Sequence, residues 1–136
     1  MDESTAEAVR REHRALDELF GRFLAAAVSG DAPLARAAIE EFDAELRRHT
    51  ATEEERIFEA PAGRKLVPAA GEDEQERLFR ELRTEHVQVR ELSAMIARVL
   101  SERGDLAGAR ALAGNLARRW DAHTSREERD LFGREF

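Results

Sequence analysis

Apolar residues return every three or four positions along most of the chain, so its periodicity is helical throughout and nothing alternates as a strand would. The first stretch carries Val9, Leu16, Phe20, Phe23 and Ala27 on one stripe and runs to Ser29 and Gly30. Ser4 followed three residues later by Glu7 has the form of a capping box at its start. Asp31 and then Pro33 open a second helix, whose stripe of Ala35, Ile39, Phe42 and Leu46 continues to Ile57 and stops near Pro61. Pro61, Gly63, Pro68 and Gly71 then break any clean period, which predicts a linker over 61–71 with at most a short helical turn. A third helix is expected from about Glu72 to Arg103, with Leu78, Leu82, Val89, Leu92, Ile96 and Val99 on one side and Gly104 ending it. A fourth starts after the cap candidate Asp105 and turns Ala109, Leu112, Leu116, Trp120 and Leu131 inward, in spite of Gly108 and Gly114. Four long helices with two short connections predict an all-α, up-down-up-down four-helix bundle filling a single domain, 1–136. Hairpin one occupies about 4–60 and hairpin two about 72–133.

Charge and composition narrow the chemistry. Hydrophobic residues make up 42% of the chain and charged ones 38%, enough apolar material for one core and too much for a disordered tail. The net charge of -7 argues against a protein built to grip phosphate backbones, so no nucleic-acid partner is expected. There is no apolar run long enough for a membrane span and no basic-then-apolar leader, so the expectation is a soluble cytoplasmic protein with no membrane partner. With zero Cys, any metal must be held by His and carboxylate, and the chain has four His.

Those four histidines belong to an internal repeat. The run His49-Thr50-Ala51-Thr52-Glu53-Glu54-Glu55-Arg56-Ile57-Phe58 returns as His123-Thr124-Ser125-Arg126-Glu127-Glu128-Arg129-Asp130-Leu131-Phe132. Glu12-His13, followed by Leu16, Glu18 and Leu19, likewise returns as Glu85-His86, followed by Val89, Glu91 and Leu92. Each half is thus a helical hairpin bearing one lone His and one His-x-x-x-Glu. Every His lies on the apolar stripe of its own helix. If roughly a third of helical positions face a core, all four doing so by chance has a frequency of about 1–2%. At ~1.5 Å of rise per residue, His13 and His49 lie at nearly the same distance from the first turn, and His86 and His123 at nearly the same distance from the second, so the four imidazoles should converge. Position i+4 is only ~40° round a helix, which puts Glu53 beside His49 and Glu127 beside His123, both inward. Four nitrogens and two carboxylates, each able to bridge, suit iron or manganese at a two-metal site. The metal ligands read from the sequence are therefore His13, His49, Glu53, His86, His123 and Glu127.

This pattern of lone His13, His49-x-x-x-Glu53, lone His86 and His123-x-x-x-Glu127 resembles that of the hemerythrin-like, or HHE cation-binding, family over nearly the whole chain. The resemblance implies a four-helix bundle with two non-haem iron ions, oxo- or hydroxo-bridged, that meet dioxygen, hydrogen peroxide or nitric oxide. The function it implies is reaction with peroxide or dioxygen in oxidative-stress or redox handling, by a catalase-like or oxygen-reducing diiron activity. The alternative is a module that binds or senses oxygen, nitric oxide or iron without turnover. A monomer is expected. Two departures stand out. Oxygen carriers of the family supply a fifth His one turn from the third-helix ligand, where this chain has Leu82 and Arg90. They also place the last carboxylate five residues after the His, which here would be Glu54 and Glu128; these are less favoured than Glu53 and Glu127 because i+5 turns ~140° away from the His.

Five further positions carry expectations. Asp17, one turn after His13, is either a seventh ligand or supporting partner, or a plain surface charge, and the repeat sets Arg90 opposite it in sequence. An inward Arg90 would place positive charge near a developing peroxide anion. Trp120, one turn before His123, is read as core, and Phe58 and Phe132 as packing residues that keep water out.

Overall fold

Three aspartates set the helix starts. Asp31 Oδ1 accepts a hydrogen bond from the Leu34 amide at 3.1 Å, Asp73 from Glu76 at 2.8 Å and Asp105 from Gly108 at 2.9 Å, each satisfying an amide that has no partner within its helix. In a computed structural model, which describes residues 3–58 and 71–132, these caps open α2 (Ala32–Arg56), α3 (Glu74–Arg103) and α4 (Leu106–Arg126). The first helix, α1, spans Glu3–Ser29. The two tight connections turn on Gly30 and Gly104, whose φ angles of 83° and 60° lie in the left-handed region that a Cβ penalises.

Two boundaries differ from the sequence expectation. Ser4 is inside α1, whose first turn already contains Glu3, so no capping box opens the helix at Ser4; a carboxylate there complements the positive end of the helix dipole. The fourth helix does not continue as α-helix to Leu131: it widens at Glu127 into a π-helical turn, Glu127–Phe132. A similar widening ends the second helix, where Ile57 N and Phe58 N both donate to Glu53 O, the second bond spanning five residues. At both places one extra residue is accommodated straight after the inward glutamate, a deformation that clusters at functional sites. The expected linker, 61–71, lies outside the described residues except for Gly71.

α1 packs on α2 and α4, and α3 on α2 and α4, which closes the up-down-up-down ring that the two short connections require. The interior has two apolar clusters. The larger surrounds Phe23, Ile39, Phe42, Ile96 and Leu116 toward the tight turns; the smaller joins Phe58, Leu78, Leu82 and Leu131 at the other end. Between them lies a buried polar layer that contains all four histidines, Glu53 and Glu127. No helix among the described residues is long and apolar enough to cross a membrane.

Candidate metal centre

Each helix delivers its donors from the inward stripe at the level of this layer. His13 comes from α1, His49 and Glu53 from α2, His86 from α3, and His123 from α4, with Glu127 at the first residue of the π turn. All six side chains are almost wholly removed from solvent, His13 and His49 being 3% exposed and Glu127 0%. Within each hairpin the rings meet edge to face, His13 against His49 with centroids 4.9 Å apart and His86 against His123 at 4.7 Å. The structure therefore brings together every residue that sequence reasoning had singled out as a ligand.

Their orientation is uniform. His13 Nε2 lies 3.2 Å and His123 Nε2 2.9 Å from Glu127 Oε1, while His49 Nε2 at 3.0 Å and His86 Nε2 at 3.1 Å flank Glu53 Oε1. None of these Nε2 atoms, and neither oxygen of Glu53 or Glu127, makes a well-formed hydrogen bond, so eight buried polar atoms crowd one volume with only ionic contact between them. Buried polar groups of this number are costly unless something else completes them. The donors divide into two overlapping sets, His13, His49, Glu53 and Glu127, and Glu53, His86, His123 and Glu127, whose ligand atoms lie within 4.8 Å of one another. Nitrogen and carboxylate donors in this arrangement fit two divalent or trivalent cations sharing both glutamates.

The outer face of the layer fixes the imidazoles. His49 Nδ1 donates to Glu12 Oε2 at 2.6 Å, His123 Nδ1 to Glu85 Oε1 at 2.8 Å and His86 Nδ1 to Glu54 Oε2 at 3.0 Å. An ionised carboxylate only accepts, so each of these contacts holds a proton on Nδ1 and reserves the Nε2 lone pair for the interior. Sequence reasoning had not found these partners, although the signal was present: Glu12 and Glu85 precede the lone histidines in both repeats, and Glu54 follows Glu53. Glu54, weighed as an alternative ligand, thus faces the Nδ1 side of His86. Glu128, the other alternative, stands 3.9 Å from His13 Nδ1.

Burial favours neutral imidazole, yet the facing carboxylates outweigh it. Glu53 and Glu12 raise the pKa of His49 to about 9, and Glu127 and Glu85 raise that of His123 to about 10. Burial pushes Glu53 the other way, toward neutrality, but His49 and His86 hold it well below the ordinary carboxylate range. Glu54 and Glu85 are likewise lowered against burial, the first by His86, Arg90 and Arg83, the second by His123 and Arg126.

Asp17 Oδ1 accepts the indole N–H of Trp120 at 2.7 Å, so it faces the tryptophan and not the donor cluster. Trp120 is core, as expected, and its ring lies 5.7 Å from His13 and 6.0 Å from His123. Arg90 does not aim into the centre: its Nη1 donates to Glu54 Oε2 and Thr50 Oγ1, both at 3.3 Å, because a carboxylate on the outer face draws the guanidinium there. Phe58 is fully buried between Phe79 and the His86 ring, whereas Phe132, against His13, is only partly covered and carries the Arg10 guanidinium 5.5 Å from its centroid. Leu82, on the other side of His86 from Arg90, belongs to the smaller apolar cluster, so neither neighbour supplies a further ligand.

A sequence profile of the hemerythrin HHE cation-binding domain matches residues 4–134, nearly the whole chain. Comparison with curated proteins and with solved structures gives no match.

Proposed function

The chain belongs to the hemerythrin HHE cation-binding domain family, and from that premise we propose that it is a non-haem diiron protein reacting with peroxide or dioxygen in oxidative-stress or redox handling. One observation carries the reading: eight orphaned donor atoms form two four-residue sets that share Glu53 and Glu127. One cation with solvent would need fewer donors, and a purely structural layer would pair them internally. His13 and His49 would hold one ion, His86 and His123 the other, and the two glutamates both. Iron bound there would supply Lewis acidity and the paired one-electron steps that a two-electron reduction of an oxygen–oxygen bond needs.

The chain's own residues do the rest. Glu12, Glu85 and Glu54 orient three imidazoles through Nδ1, and Phe58, Leu82 and Trp120 keep bulk water from the layer. The facing carboxylates raise the pKa of His49 and His123, so cation binding there would release protons. Two imidazoles and two carboxylate oxygens would give each cation four donors, which would leave room for solvent or a small oxidant. Leu82 and Arg90 add no fifth imidazole, a donor set that would suit cleavage of peroxide better than carriage of intact dioxygen.

The test is metal analysis of protein purified from iron-replete cells, followed by optical spectra in air and after hydrogen peroxide. About two irons per chain are expected, with air oxidation of the reduced protein and consumption of added peroxide. One zinc and no iron would overturn the diiron reading. Reversible oxygenation, with the gas recovered at low pressure and no peroxide turnover, would replace it by oxygen binding or sensing.

A further inference from the structure

The repeat is close for the six inner donors and broken in the shell behind them. Arg90 donates to Glu54, the acceptor for His86, and the buried Arg83 adds its charge to the same carboxylate. Arg126 Nη1 donates at 2.7 Å to Glu85, the acceptor for His123. Both guanidinium braces thus serve the His86–His123 pair. The repeat-related positions behind His13 and His49 are not basic braces: Arg90 corresponds to Asp17 and Arg126 to Thr52, while Arg83 corresponds to Arg10, which turns to Phe132 and Glu3. Asp17 is occupied by the Trp120 indole and, bearing the same charge as Glu128, has no attraction for it. The consequence shows at His13. Glu128 is half exposed and stops 3.9 Å short, and His13 Nδ1, although buried, has no hydrogen-bond partner among the described residues.

We propose that the two cation positions are unequal: the braced His86–His123 position is the tight one, filled first, and the His13–His49 position is the weaker, exchangeable one. The inference rests on the two-metal reading above. Two effects compete. The unneutralised carboxylates Glu12 and Glu128 attract a cation to the His13 side, but their side chains are 48% and 51% exposed, and a screened contact of that kind changes affinity by roughly five-fold at most. A histidine ligand whose Nδ1 lacks its acceptor is worse by about 10–100-fold, because neither its tautomer nor its ring plane is fixed. Orientation wins. Arg90 and Arg126 are positioning residues: they act on the cations only through Glu54 and Glu85.

Stepwise titration of the metal-free chain with cobalt(II), followed by calorimetry and by the visible bands of the bound ion, reads this directly. Two resolved steps are expected, their affinities about 10–100-fold apart. His13→Ala should abolish the weaker step and spare the tighter, and His123→Ala should do the reverse. Arg90→Gln, at a side chain 30% exposed on the outer face, should weaken the first step about ten-fold with the second unchanged, and Arg90→Lys should restore part of the loss. A chain that binds two ions with one indistinguishable affinity, or that loses its tight step in His13→Ala, overturns the inequality while leaving a two-metal centre standing. A chain that binds no cobalt(II) overturns the centre itself.

Discussion

Single residues divide into those shared by both donor sets and those that belong to one. Glu53 and Glu127 belong to both donor sets, each histidine to one. Glu53→Ala or Glu127→Ala should therefore empty the centre, whereas a single His→Ala should leave about one ion per chain, a contrast that metal-to-protein ratios measure. Asp17 offers a second test. Asp17→Ala strands the indole N–H of the only tryptophan, and since Asp17 is at the surface and water can replace it, a loss of about 1 kcal/mol is expected in denaturant melts, with altered tryptophan fluorescence. The inner donors were legible because i,i+4 spacing on an apolar stripe fixes direction: His49 and Glu53 can only face one way. The partners of Nδ1 were not, since whether Glu12 reaches His49 or Glu54 reaches His86 depends on how neighbouring helices are set, which no single-helix period encodes. Arg90 shows the same limit, its long side chain being free to choose between the interior and the outer carboxylate.

The helices themselves were read well where a cap or a glycine marks the end. Asp31, Asp105 and Gly104 act as expected, and the start of α3 falls at Asp73 rather than Glu72 because the aspartate side chain reaches the Glu76 amide. The widened turn after Glu127 was not legible, because apolar spacing through Leu131 is compatible with an ordinary helix and the extra residue shows only in the backbone bonds. Gly104→Ala forces a side chain into a left-handed conformation and should cost about 1 kcal/mol or more in a thermal melt. It should leave the metal content unchanged, since the turn lies about 18 residues, or several helical turns, from the donors. Loss of bound metal in that variant would show that the bundle's end and its polar layer are coupled.

At the scale of the whole molecule, a charged layer separates two apolar clusters, so stability should follow its protonation and its occupancy. In the folded metal-free chain His49 and His123 have pKa values of about 9 and about 10, above the ordinary 6.5. A raised pKa stabilises the folded chain fully below about pH 6.5 and progressively less as pH climbs through 9 to 10. The metal-free melting temperature is therefore expected to fall between about pH 7 and pH 10, and the stabilisation by bound cation to widen over the same range, because fewer protons must leave. At a free metal concentration about 100 times Kd the gain is ~2.7 kcal/mol. Melts with and without metal at several pH values check both; a metal-free chain that melts higher at pH 9.5 than at pH 7 contradicts the assignment of those protons. The layer also has a symmetry. Hairpin one holds His13, His49 and Glu53, and hairpin two holds the matching His86, His123 and Glu127, while each glutamate touches a histidine of both halves. Two copies of one hairpin, related by a twofold axis, would regenerate all six donors. In one continuous chain, however, the halves need not match, and they differ at Asp17 against Arg90 and at Thr52 against Arg126: a single substitution alters one half of the layer alone, as it could not in a symmetric pair of identical hairpins.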